Sequence, residues 1–296
     1  MDVTKKTKQI EKILVPPSPH MVGDGFRMCN FFPGGYNLKQ RVSPFFLLDY
    51  NPPHYFSPTS HLRGVGVHPH RGFETVTLVF QGAVAHHDSA GNAGVIGPGD
   101  VQWMTAGSGV LHKEYHERAF SQRGGIFHVA QLWVNLPARY KMTAPRYQSI
   151  TREQQGKYVL DAQGSAVYVI AGSYKGVEGP ARTFTPIELW SVELAAQGAS
   201  LSLSLPATYN TLLLVIEGEV SVNGEKVPSH CIALMDNEGE YFEVRAETPA
   251  AKLVLMSGEP IHEPIAHYGP FLMNTFEEIK QAIADFNAGK FGYLQD

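Results

Sequence analysis

Short runs that alternate apolar and polar residues restrict the fold of this chain more than any other feature. Leu201-Ser202-Leu203-Ser204-Leu205 is apolar at every second position. That is the period of a half-buried β-strand, because successive side chains leave the pleat on opposite faces. Glu74-Thr75-Val76-Thr77-Leu78-Val79-Phe80, Ala130-Gln131-Leu132-Trp133-Val134 and Ala166-Val167-Tyr168-Val169-Ile170 read as further strands. The chain's 29 glycines and 20 prolines punctuate such runs, which favours an all-β sandwich or barrel over helical layers. One helix is expected, at the C-terminus. Thr275 and Glu278 have capping-box spacing, Phe276, Ile279, Ile283 and Phe286 recur on one face, and Asn287-Ala288-Gly289 supplies a stop.

The chain also repeats itself. Leu78-Val79-Phe80-Gln81-Gly82-Ala83-Val84 is similar to Leu214-Val215-Ile216-Glu217-Gly218-Glu219-Val220, at an offset of 136 residues. Each copy spells a strand, a glycine turn and a second strand, so a duplication is expected. The polar stretch from Pro137 to Tyr158 reads as the link between copies. The expected division is a first barrel over 1–150 and a second over 151–296 that ends in the helix.

Chemistry concentrates in the first copy. His68-Pro69-His70 and His112-Lys113-Glu114 each place two donor side chains at alternate positions. In a strand these share a face, with Cα atoms roughly 7 Å apart. Two such pairs on facing strands predict one metal ion held by His68, His70, His112 and Glu114, since imidazole and carboxylate suit divalent transition metals. Carried forward by 136 residues, these positions become Ser204, Pro206, Thr248 and Ala250, none of them a ligand. His230, His262 and His267 are scattered, so the second barrel is expected to hold no metal. His116 shares the parity of His112 and Glu114 and is a lesser candidate. Glu74 has the parity of His68 and His70, and reads as a group that orients a histidine or pairs with Arg71. His86, His87 and Asp88 invite a second metal site, but they precede turn formers, so hydrogen bonds that hold a hairpin are the favoured reading. Phe73, Phe80, Trp103, Met104, Phe127 and Trp133 are candidate pocket walls, two or three of them near a ligand, with Gln131 a candidate polar contact.

Four stretches carry a family resemblance. His68-Pro69-His70-Arg71-Gly72-Phe73-Glu74-Thr75-Val76-Thr77 resembles the signature of the pirin family. Gly97-Pro98-Gly99-Asp100-Val101-Gln102-Trp103-Met104-Thr105-Ala106-Gly107-Ser108-Gly109-Val110-Leu111-His112 is similar to its second motif, Gln131-Leu132-Trp133-Val134-Asn135-Leu136 to a third, and Gly269-Pro270-Phe271-Leu272-Met273-Asn274-Thr275 to a fourth. The resemblance implies a bicupin, two stacked jelly-roll β-barrels with the metal in the N-terminal one. It implies Fe(II) at the three histidines and Glu114, with Mn, Ni, Cu or Zn chemically admissible. It further implies a quercetin 2,3-dioxygenase-like activity: ring opening of a flavonol by O2 with loss of carbon monoxide, Glu114 being the candidate base for the substrate hydroxyl. Other members of the family are regulators, so a redox-sensing protein that binds a transcription factor or a metabolic enzyme is the competing expectation. A cupin isomerase of small polar acids ranks lowest, because Arg71 is the one obvious cation near the site.

Bulk properties narrow the partners. A formal charge of −4 gives no basic footprint for direct nucleic-acid binding. No run approaches the roughly 18 apolar residues of a membrane span, and the charged start lacks the apolar core of a secretory signal. With two cysteines, Cys29 and Cys231, a reduced pair in a cytoplasmic protein is expected.

Overall fold

The alternation at Leu201–Leu205 becomes the strand Ser200–Ser204, with buried leucines and exposed serines. The computed structural model describes residues 6–295. Met1–Lys5, which begin the charged N-terminal stretch, and Asp296 lie outside the described residues. The other expected runs fall within strands Phe73–Gln81, Gly125–Asn135 and Ala166–Ala171. The described chain is mostly β, with two α-helices, Arg118–Arg123 and Phe276–Asn287. None of its helices is long and apolar enough to cross a membrane. Cys29 and Cys231 are buried and unbridged.

The chain forms two compact units, each assembled from discontinuous segments. The first contains Pro17–Lys39, Phe45–Arg152 and the chain from Ile261 onward. The second contains the chain up to Pro16, Gln40–Pro44 and Glu153–Pro260. The main crossing is thus close to the expected residue 150, but a division into 1–150 and 151–296 misassigns both terminal segments. Strand Ile10–Leu14 pairs with Ile232–Met235 in the second unit. The C-terminal helix belongs to the first unit, not to the second barrel as expected. The stretch Pro137–Tyr158 is more than a link, because its strand Arg146–Ile150 pairs with Val101–Thr105 at the edge of the first barrel.

Both units repeat one antiparallel topology. The seven-stranded sheet of the first unit runs Arg146–Ile150, Val101–Thr105, Phe73–Gln81, Gly125–Asn135, Phe45–Phe56, Phe26–Phe32, His20–Val22. The second unit has the same order as Ile10–Leu14, Ile232–Met235, Asn210–Glu217, Ala251–Gly258, Ile187–Leu194, Ala166–Ala171, Gly156–Val159. A four-stranded sheet completes each: Gly64–His70, Val110–His116, Val84–Asp88, Ala93–Ile96 in the first, and Ser200–Ser204, Tyr241–Ala246, Val220–Val222, Glu225–Val227 in the second. The repeated hairpin turns through Gly82 and Gly218, both at positive φ, a conformation that disfavours a Cβ.

Strand register locates the counterparts of the predicted ligands better than a fixed offset does. Aligning Val84 with Val220, the strand pairs Glu114↔His86 and Val244↔Val222 become equivalent. Two residues back along their strands, His112 pairs with His68 and Phe242 with Leu203. The second barrel therefore carries Leu203, Phe242, Val244 and Val222 where the first carries His68, His112, Glu114 and His86. All four pack into one apolar core. Loop lengths differ between the copies, which is why a shift of 136 residues pointed instead to Ser204, Pro206, Thr248 and Ala250.

The C-terminal helix starts as its sequence predicts, with a complete capping box between Thr275 and Glu278. Its buried stripe differs from the expected one. Ile279, Ala282 and Asp285 are buried, whereas Phe276 is 62% exposed. Asp285 takes the central position because it accepts from Arg71 Nη1 at 2.9 Å. Strand Phe271–Met273, just before the helix, runs beside Arg71, with Leu272 N donating to Arg71 O. That approach requires Gly72, since a Cβ there would stand 2.1 Å from Leu272 O.

Lys141 secures the same junction. Its side chain is 1% exposed, and Nζ donates to Gly72 O, Asn135 Oδ1 and Leu272 O at 2.6–2.8 Å. Burial pushes its pKa down to about 7, while three acceptors favour the ammonium, which has three donors. Lys141→Met should take a charged donor from three buried acceptors, of which Asn135 Oδ1 keeps the Leu136 N–H, and lower stability by roughly 2–4 kcal/mol, measured by urea unfolding. A loss within experimental error would show that the clamp contributes nothing.

Candidate metal centre

Strand Val110–His116 lies between Gly64–His70 and Val84–Asp88. His112 pairs with His68 on one side and Asp88 on the other, and Glu114 pairs with His86. Alternation then presents His112 and Glu114 to one interior. One donor atom from each of His68, His70 and His112 lies within 4.8 Å of the others. Glu114 falls in a second grouping of the same spacing, with His112 and His86.

Local hydrogen bonds aim the rings. His68 Nδ1 is 2.8 Å from Gly66 O, and His70 Nδ1 is 3.4 Å from Pro270 O. Each carbonyl demands a donor, so Nδ1 carries the proton and Nε2 keeps the lone pair, as in histidines that ligate metals. His112 is fully buried, and neither ring nitrogen has a hydrogen-bond partner. Burial pushes the pKa of His70 and His112 well below the usual imidazole range, and the neighbouring His68 adds to it. Three crowded imidazoles fit a divalent cation, with ligand distances of about 2.0–2.1 Å.

Glu114 is held from the opposite sheet. Gln131, Thr77 and Gln102 are successive cross-strand partners, so they form a row across three strands. Gln102 Nε2 and Thr77 Oγ1 donate to Glu114 Oε1, and Gln131 Nε2 donates to Oε2 at 2.6 Å. Every partner is a donor, which matches the group as an acceptor-only carboxylate.

Aromatic side chains line the interior beside the histidines. Phe73 stacks on Trp133 at 4.0 Å between centroids, and both rings lie near His70, at 5.0 and 5.2 Å. Phe46 stacks on Trp133, and His267 from the C-terminal segment stands 4.7 Å from Phe46. Of the candidate wall residues, then, Phe73 and Trp133 contact a predicted ligand. Phe127 packs against His116 instead, and Phe80 against His128. His116 is removed from the centre. It sits among Phe26, Phe56, Phe120 and Phe127, with Nε2 2.7 Å from Gly25 O.

Several residues behave differently from their sequence reading. Arg71 pairs with Asp285 and donates to Ser108 O, so it brings no cation to the ligands. Asp88 does close its hairpin, accepting from Ala90 N and Asn92 N, but His86 is fully buried and faces Glu114. Gln102, Tyr147 and His267 were not singled out. Gln102 and Tyr147 are linked to Glu114 through the bond from Tyr147 Oη to Gln102 Oε1. Their one sequence signal was parity with neighbouring strand residues, and His267 gave none.

Family models match residues 25–134 as Pirin and 189–292 as the Pirin C-terminal cupin domain. Over 273 residues the chain is 49% identical to a Pseudomonas aeruginosa protein named "putative quercetin 2,3-dioxygenase", covering 92% of this chain and 94% of that one. It is 39% identical over 232 residues to human pirin, covering 76% and 77% of the two chains. A crystal structure of quercetin 2,3-dioxygenase from Acinetobacter baumannii superposes with a TM-score of 0.92 at 46% identity, covering 98% of this chain and all of the other.

Glu74 points away from the histidines. The tight Arg71-Gly72 turn separates its strand from theirs, so parity counted through the turn does not hold. Its Oε1 accepts from Thr105 at 2.6 Å, and Oε2 is buried without a partner. Burial raises its pKa from 4.5 to about 7 against the opposing Thr105 hydroxyl, Trp103 indole and Arg146 charge. Between these values the folded state holds a proton that the unfolded state has lost. Stability therefore falls as pH rises through that window and levels off above it. Glu74→Gln should match the parent near pH 4.5 and exceed it at pH 8 by roughly 1–3 kcal/mol. Parallel unfolding curves at the two pH values check this, and an unchanged difference would refute it.

Proposed function

Because this chain belongs to the pirin family, with two cupin domains in one polypeptide, we propose that it is a metal-dependent dioxygenase acting on flavonol-type aromatics. The observation that carries this reading is the set of three clustered imidazole donors, two of them buried, beside a stacked aromatic wall and a carboxylate held by three donors. His68, His70, His112 and Glu114 are the assigned ligands, and Fe(II) the assigned ion, with Mn, Ni, Cu and Zn compatible with the same donors. When bound, such an ion supplies Lewis acidity and a site for redox chemistry with O2.

The protein's own groups do the rest. Phe73 and Trp133 offer a flat apolar surface to an aromatic ring system. Gln102, Gln131 and Thr77 fix the orientation of the Glu114 carboxylate. Glu114 is the group placed to accept the proton of a substrate hydroxyl, while burial of the surrounding side chains excludes water. The buried, unbridged cysteines support a cytoplasmic setting.

Protein loaded anaerobically with Fe(II), mixed with quercetin and then exposed to O2, should consume the flavonol absorbance faster than the ion alone. His70→Ala should lose its activity while keeping the parent circular dichroism. Glu114→Gln should retain much of the metal but slow turnover by roughly 10²-fold or more. A rate no greater than the ion-only control would reassign the chain to a redox-sensing protein with a protein partner. An unchanged rate in Glu114→Gln would remove the base role alone.

A further inference from the structure

The ligand set above leaves one buried imidazole unused. His86 has no exposed surface, and its ring stacks on Tyr147 at 4.8 Å and 16°. Nε2 lies 3.2 Å from Asp88 Oδ2, and Nδ1 has no partner. The Asp88 carboxylate accepts two backbone N–H groups and the Asn92 amide as well, so it is fixed as an acceptor. Nε2 must therefore carry the proton, which leaves the lone pair on Nδ1. A carboxylate behind an imidazole is the usual arrangement that orients a metal-binding histidine.

That ring has company of the right kind. The His86 and His112 centroids are 5.4 Å apart, and Glu114 is the cross-strand partner of His86. One donor atom from each of His86, His112 and Glu114 lies within 4.8 Å of the others. His112 also belongs to the grouping with His68 and His70. We propose that the cavity contains a second cation position, formed by His86, His112 and Glu114, which shares His112 and Glu114 with the first. The inference rests on the reading of this cavity as a metal centre. A neutral imidazole has one lone pair to give, so His112 serves one ion at a time. The two positions are alternatives for a single ion: one adds His68 and His70 to His112 and Glu114, the other adds His86. Borderline divalent ions such as Co(II), Ni(II), Cu(II) and Zn(II) suit both. The equivalent of His86 in the second barrel is Val222, so the arrangement is confined to the first.

Co(II) titration of the full-length apoprotein, read by its d–d bands and by metal analysis, tests this. The parent should bind one equivalent. The double variant His68→Ala/His70→Ala should still bind one equivalent, with an altered spectrum, and adding His86→Ala should abolish binding. Uptake lost already in a double variant with native circular dichroism, or uptake unaffected by the added His86→Ala, would overturn the second position. No uptake by the parent would instead overturn the metal-centre reading itself. Cu(II) electron paramagnetic resonance provides a test that does not need the double variant to fold. The parent should show two signals, one of which disappears in His86→Gln. A single signal common to both proteins would overturn the proposal.

Discussion

The register of strand Val110–His116 between its two neighbours is the constraint on which the centre depends. His112 and Glu114 face the interior because they alternate on that strand, and they meet His68 and His86 because those are their direct partners. A slip of one residue would turn Lys113 and Tyr115 inward and His112 and Glu114 outward. The register is held from the other side as well. The row Gln131, Thr77 and Gln102 spans three strands of the opposite sheet and converges on Glu114. One carboxylate thereby ties the two sheets of the first barrel together at the ligands.

The same arrangement sets the electrostatics. Burial holds the pKa of His70 and His112 well below the usual imidazole range, and three donors satisfy the carboxylate. His112 remains fully buried with two unpartnered nitrogens, a costly state unless something takes a lone pair. The C-terminal segment adds to this order from far along the chain. Pro270 O orients His70, His267 stands beside the aromatic wall, and the Arg71–Asp285 and Lys141 contacts hold that segment in place. The ligand-bearing strand is thus braced by residues some 200 positions downstream.

How much of this could be read in the sequence depends on the range of the interaction concerned. Period-two alternation, glycine turns and a capping box are local, and they located strands, hairpins and the helix start. The spacing of His68, His70, His112 and Glu114 is also local, so these residues could be put forward as candidates before any fold was known. What failed was inference across breaks in regular structure. Parity counted through the Arg71-Gly72 turn put Glu74 with the histidines, whereas its strand turns it towards Thr105. A fixed repeat offset missed the true counterparts because loops differ in length. The exchange of terminal segments, the place of the helix and the role of His267 depend on contacts between distant parts of the chain, which no local pattern encodes.

The second barrel serves as a control built into the same polypeptide. It has the strand order of the first, yet it carries Leu203, Phe242, Val244 and Val222 where the first has His68, His112, Glu114 and His86. Those four apolar side chains are buried within a continuous core, the arrangement that most favours folding. A cupin barrel of this topology therefore has no structural need for imidazoles or a carboxylate at these positions. In the first barrel the polar groups forgo that apolar burial and require Gln102, Gln131, Thr77 and Asp88 to be satisfied in turn. Polar groups at four such places, each aimed by a dedicated partner or left with an unshared lone pair, are what a ligand-binding cavity demands and a packed core does not. The contrast separates the apolar residues that the fold needs at these positions from the polar ones that the first barrel carries there.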